Sequence, residues 1–164
     1  MDVCGSQTRP LQRGPGDVRG TSGRVPREQA PSPGPLPPQR SIHSWLPHPR
    51  VVTDARAMAR KVLELYEVEI VDDVEVVVSE LITNALKASR SDWPVTLRLL
   101  IDSEAVLVAV ADESDELPEI RDVGFDETAG RGLLIVESLS HGDCGYTLGA
   151  YGGKTVWALI ARTS

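Results

Sequence analysis

Residues 76–89 read VVVSELITNALKAS, and the fold turns on this stretch. At about 100° per residue, Val74, Val77, Val78, Leu81, Ile82 and Ala85 gather into one broad apolar face of a helix. Glu80, Asn84 and Lys87 fall at i, i+4 and i+7, which predicts a polar stripe on the opposite side. The helix is expected to start at Asp72 or Asp73, either of which can cap it, and to end near Ser89. Its stripe has chemical use. An amide oxygen suits magnesium, a hard cation that prefers oxygen ligands. A carboxylate one turn away can accept a proton or orient a hydroxyl.

Downstream, Val95 to Ile101 and Ala105 to Ala111 flank Asp102-Ser103-Glu104, which reads as a hairpin. The second strand is almost wholly apolar, as befits a strand covered by helices. A long polar stretch then runs from Asp112 to about Ala129, and loops of that length in compact domains usually have a role. The run GRGLLIVESLS, residues 130–140, predicts a helix opened by glycines. Tyr146 to Leu148 and Lys154 to Ile160 read as two final strands around a turn of Gly149, Gly152 and Gly153. Upstream, a helix from Thr53 or Asp54 to Tyr66 carries Ala57, Met58, Val62 and Leu65 at helical spacing. Before it, Ile42 to Leu46 predicts a short edge strand.

Ten of the twelve prolines lie within residues 1–49, and residues 30–39 read APSPGPLPPQ. Proline lacks an amide donor, and this stretch has little apolar surface to bury. Residues 1–40 are therefore expected to form a disordered Pro/Arg/Gly-rich tail ahead of a domain at 41–164. Charge divides along the same line. Residues 1–50 carry seven arginines against three acidic residues, while the net charge of the whole chain is −7. So acidic a domain argues against nucleic acid as a partner. Cys4 and Cys144 fit no metal-ligand spacing. No apolar run is long enough to span a bilayer and the first residues lack a signal-peptide core, so a cytoplasmic location is expected.

Three further features point to a ligand. Asp112 ends an apolar strand, where a fixed carboxylate can accept hydrogen bonds from an exocyclic amine such as that of adenine. Gly130, Arg131, Gly132 and Leu133 open the third helix, where glycines admit close backbone approach to a phosphate and the helix start offers free N–H groups. By contrast, Gly152-Gly153-Lys154-Thr155 is not the end of a phosphate loop. The full pattern requires glycine where Leu148 stands, and a helix must follow it rather than the apolar run VWALI.

In order and spacing, these pieces resemble the histidine-kinase-like ATPases. VVVSELITNALKAS looks like the N-box helix, VAVADES the first glycine box, GRGLLIVESLS the second, and GGKTVWALI the closing strand. Ser44-Trp45-Leu46-Pro47 and Asp54-Ala55-Arg56 are similar to the entry of the anti-sigma-factor serine kinase branch. The resemblance covers residues 41–162. It implies an α+β fold: a two-layer sandwich of about three helices on a mixed, mostly antiparallel sheet of four to five strands, the Bergerat ATP-binding fold. It implies ATP and Mg2+ as cofactors, with Asn84 holding the metal and Glu80 as catalytic base. Lys87, Asp112, Gly130, Arg131, Gly132, Leu133 and Thr155 would then meet the nucleotide, Thr155 beside the adenine in support of Asp112. The implied partners are an anti-anti-sigma factor of the STAS type, whose serine would be phosphorylated, and a sigma factor. Homodimers are common among similar proteins. Where the family reads D-x-G-x-G, this chain reads Asp112-Glu113-Ser114-Asp115-Glu116. That departure leaves a second reading open: an ATP-binding switch that sequesters a partner without phosphoryl transfer.

Overall fold

A computed structural model describes residues 24–31, 39–90, 92–119 and 131–162. The elements run in the order β1 (Arg27–Glu28), β2 (Gln39–Trp45), α1 (Val51–Leu65), α2 (Val71–Ala88), β3 (Val95–Ile101), β4 (Ala105–Asp112), α3 (Gly132–Leu139), β5 (Cys144–Leu148) and β6 (Lys154–Ala161). The strands form one sheet of order β1-β5-β6-β4-β3-β2. Every neighbouring pair is antiparallel except β1 with β5. Three helices cover one face, giving the α+β, Bergerat-type arrangement expected from the sequence.

Side-chain alternation explains the layering. Val106, Val108 and Val110 of β4 and Val156, Ala158 and Ile160 of β6 join the main core with Val74, Val77, Val78, Leu81 and Ile82 of α2. The intervening residues Leu107, Ala109 and Trp157 form a smaller cluster on the other face. Glu75 of α2 is 6% exposed. The guanidinium of Arg60 on α1 donates to both its oxygens at 2.9 and 2.7 Å, which ties the two helices together.

The expected boundaries shift in instructive ways. Helix α1 starts at Val51 rather than at Thr53 or Asp54, with no side-chain cap. Burial of the whole Val51 side chain pulls the first turn upstream of the best capping residues. The same holds for α2, which starts at Val71 uncapped and keeps Asp72 and Asp73 in its first turn, at the positive end of the helix dipole.

The domain also begins earlier than residue 41. Strand β2 starts at Gln39, and Arg27–Glu28 add a sixth strand beside β5. Backbone pairing needs no apolar side chains, so composition does not reveal it. Trp157 Nε1 donates to the Gln29 carbonyl at 2.6 Å and Gln29 N donates to the Tyr146 carbonyl at 3.0 Å, anchoring this segment. The rest of the expected tail, residues 1–23 and 32–38, lies outside the described residues. No described helix is long and apolar enough to cross a membrane.

Candidate functional site

A cavity of about 450 Å³ opens between α2, α3 and the β6 side of the sheet. Leu81, Asn84, Ala85 and Lys87 of α2 form one wall, Leu133 of α3 another, and Lys154 and Val156 of β6 the floor. Residues 116–119 and Val25 complete it. The volume lies in the range of small-molecule sites.

Asn84 and Lys87 therefore both line the cavity, Lys87 from the exposed side of α2 and Asn84 from nearer the core than the far side that the wheel suggested. Asn84 sits about 90° from the centre of the apolar stripe, on its shoulder, and looks across the groove between helix and sheet. Glu80, one turn earlier, does not line the cavity. It packs against the start of α3 instead: a Cβ built on Gly132 would stand 2.2 Å from Glu80 Oε2. That glycine is required by close approach, and the carboxylate rests near the positive end of a helix.

Asp112 ends β4 on the helix-facing side and is 8% exposed. Directly across the ladder stands Lys154, the first residue of β6. Lys154 Nζ donates to Asp112 Oδ1 at 2.9 Å and to the Ser114 carbonyl at 3.3 Å. The Ser114 amide also donates to Asp112 Oδ1, at 2.9 Å. Burial pushes the Asp112 carboxyl above its ordinary range, and Lys154 and the Ser114 amide pull against that. Asp112 is thus an anchored carboxylate standing behind Lys154, which itself faces the cavity.

Lys154 was not anticipated as a site residue; Thr155 was. Strand parity corrects this. Lys154 and Val156 line the cavity, whereas the adjacent Trp157 belongs to the cluster on the other face. Thr155 has the parity of Trp157 and stands on that far side, opposite Ala111 and Thr147. The legible signal was there: in an antiparallel ladder, the residue that opens β6 falls beside the residue that closes β4.

The remaining candidates divide. Leu133 is buried and lines the cavity, and Gly132 opens α3. Arg131 precedes that helix and its carbonyl accepts from the Ile135 amide at 3.1 Å. Gly130 lies outside the described residues. Val25 is a wall residue that no sequence signal pointed to.

The loop after Asp112 is held to the β5–β6 turn. Asp115 Oδ1 accepts from the Gly153 amide at 2.8 Å. Gly153 has φ of 76°, and a Cβ there would meet the Asp112 carbonyl oxygen at 2.5 Å, so the turn admits no side chain at that point. Glu113 tucks back under α2. Burial pushes its carboxyl up, but the amide of Arg90, which donates to Oε1, and the nearby Ser89 hydroxyl bring it below its ordinary range.

The lining suits a nucleotide triphosphate with its cation. Leu81, Ala85, Leu133 and Val156 offer apolar surface for a base and Lys87 offers positive charge, while Lys154 is paired with Asp112, and Glu116 and Glu119 add carboxylates that a phosphate-borne cation would offset. Among the described residues no three His, Cys, Asp or Glu side chains gather as a metal cage. Asn84 alone suits a magnesium ion that arrives on phosphates, since that ion keeps most of its other oxygen ligands from phosphate and water.

No curated protein matches the sequence. A family model described as the histidine kinase-like ATPase domain matches residues 47–159, which includes α1 through nearly all of β6 and every helix that walls the cavity. That match spans more than half of the chain, and the protein belongs to the histidine kinase-like ATPase domain family.

Proposed function

We propose that the protein is an ATP-binding regulator of the anti-sigma type, acting as a serine kinase on a STAS-type anti-anti-sigma partner. One observation carries this reading. Asn84, Lys87, Leu133 and Lys154, drawn from three elements, wall a single cavity, and Asp112 is fixed directly behind it.

Bound magnesium-ATP would supply the transferable phosphoryl group. The chain's own residues position it. The Asn84 amide oxygen holds the cation, and Lys87 offsets phosphate charge at the mouth. Leu81, Ala85, Leu133 and Val156 shield the base from water. Lys154 keeps Asp112 oriented at the inner end. In phosphoryl transfer most of the catalysis is positioning and charge stabilisation, which these groups are suited to give.

Glu80 favours the second reading. Its carboxylate lies against Gly132 rather than on the cavity wall. In this arrangement Glu80 does not stand on the cavity wall where an incoming serine would react. An ATP-gated switch that captures a partner without transferring phosphate needs no such base.

Calorimetric titration of magnesium-ATP tests the shared part, and absence of saturable binding ends both readings. Incubation with γ-labelled ATP and STAS-type proteins then separates them. Label on a partner serine supports the kinase; nucleotide binding with no transfer to any of them leaves the switch.

A further inference from the structure

A second cavity, of about 710 Å³, lies at the end of the sheet where β3 begins and β4 ends. It shares Ala88 with the first cavity but extends to Thr96 and Ala111, on the sheet's other face. Of the residues that the family reading assigns to the nucleotide, Asp112 alone stands in its wall, and its charge is taken up by Lys154.

Its rim is unusual for this chain. The sequence has only seven aromatic residues, three Trp, three Tyr and one Phe. Two of them stand in water here: Trp93, in the turn before β3, is 54% exposed, and Tyr151, at the tip of the β5–β6 turn, is fully exposed. Solvent-facing Trp and Tyr on the rim of one cavity mark contact sites, because large rigid rings gain most from being covered.

Charge selects what covers them. Asp115 lines the same cavity and keeps a carboxylate oxygen beyond the one that binds a backbone amide, while Glu113 adds its charge from beneath with its second oxygen buried. The charge of Asp112 is already matched by Lys154, and Arg90 is the single basic residue in the lining. The walls therefore combine two aromatic faces with a net negative floor. A guanidinium fits both demands: it is planar, stacks on aromatic rings and presents a fork of donors to carboxylates. An ammonium satisfies the charge but stacks less well. The volume exceeds one guanidinium and accommodates flanking backbone. The chain's acidity disfavours nucleic acid as the source.

The geometry points to this cavity as a docking site for an arginine side chain on an extended segment of a protein partner, held between Trp93 and Tyr151 with its donors on the Asp115 carboxylate. This cavity adjoins the proposed nucleotide cavity at Ala88 and has Asp112 in its own wall, so its test is run without nucleotide.

The probe is the tripeptide acetyl-Ala-Arg-Ala-amide, titrated into full-length isotopically labelled protein while the tryptophan indole resonances are followed. Its neutral twin carries citrulline in place of arginine. Saturable shifts of the Trp93 indole with the arginine peptide, and about tenfold weaker binding of the citrulline peptide, are expected from loss of one cation–π and carboxylate contact. Trp93→Ala and Tyr151→Ala should each weaken binding by about tenfold. Both side chains are exposed, so these variants should keep the wild-type thermal midpoint, which is measured alongside. Shifts of the Thr96 and Ala111 amides, in residues that line this cavity, serve as the readout in Trp93→Ala. Equal binding of the two peptides, unchanged affinity in both variants, or no saturation overturns the proposal. So does sedimentation showing that the peptide acts by dissolving a dimer, since the occupant is then a second copy.

Discussion

Lys154 Nζ lies 2.9 Å from Asp112 Oδ1, and the two residues are 6% and 8% exposed, paired directly across β4 and β6. A buried ion pair adds little net stability, but removing one partner strands the other's charge. Lys154→Met is therefore expected to destabilise the domain by about 3–5 kcal/mol near neutral pH. The pH dependence has a definite sign. Burial already raises the folded-state Asp112 carboxyl above its unfolded value, and Lys154 is the main opposing influence. Without Lys154 it rises further. The folded state then takes up a proton more readily than the unfolded state, so stability falls as pH climbs through the raised value and recovers as pH drops below it. Urea unfolding at acid and neutral pH checks this: the deficit of Lys154→Met should shrink toward acid. A deficit equal at both would show that the stranded carboxylate is not its source. Adding Asp112→Asn to Lys154→Met should also reduce it.

Gly132 and Glu80 supply a coupled pair. Alanine is a better helix former than glycine by about 1 kcal/mol, so Gly132→Ala should help α3 if nothing opposed it. Glu80 Oε2 opposes it, standing 2.2 Å from where the new methyl would be. The obstacle is the end of a flexible side chain, so it can swing aside and lose its place. In the Glu80→Ala background, Gly132→Ala should stabilise by about 0.5–1 kcal/mol. In the wild-type background it should be neutral or destabilising. A double-mutant cycle by denaturant unfolding measures the difference, and additive effects would mean that Glu80 does not occupy that contact.

Neighbouring residues of β6 should behave oppositely toward nucleotide. Lys154 lines the cavity and Thr155 stands on the other face. Thr155→Val should change magnesium-ATP affinity by less than about threefold, while Asn84→Ala, which loses a metal-directed contact, and Lys154→Met, which leaves Asp112 an unpaired negative charge beside the cavity, should each lower it by at least about tenfold. Fluorescent-nucleotide titration of folded protein decides it. A large loss in Thr155→Val with Lys154→Met unaffected would place the binding site on the wrong side of the sheet.

The main elements were legible because their periods are strong. The stretch from Val71 to Ala88 can bury its valines only as a helix, and β4 only as a covered strand. The site was half legible. Asn84, Lys87 and Leu133 meet at one cavity with Asp112 behind it because motif spacing follows element geometry. Lys154 was missed because its role depends on register, which places it opposite Asp112 although 42 residues separate them. Thr155 was misplaced for the same reason, as a shift of one residue in a strand reverses the face. Strand β1 was missed because it is two residues long and its segment is held by backbone bonds, one indole and the Arg24–Glu137 ion pair, which leave no pattern in composition.

That indole offers the last test. Trp157 is 1% exposed, and its Nε1 donates at 2.6 Å to the carbonyl of Gln29, next to Arg27–Glu28 on the edge of the sheet. Trp157→Phe keeps the ring in the sheet-face cluster but leaves the carbonyl without its donor. Losing such a bond at a buried position costs about 1–2 kcal/mol. Because β1 is a short edge strand, that loss should appear as local opening of residues 24–31 before it appears in global unfolding. The two arginines at 24 and 27 make opening visible to trypsin. Under conditions where opening is fast relative to cleavage, the variant should be cut after Arg27 about five to thirty times faster than wild type, with cleavage in α1 unchanged. If both sites accelerate together, Trp157 supports the whole sheet and not the segment; if neither does, the indole bond does not hold β1 in place.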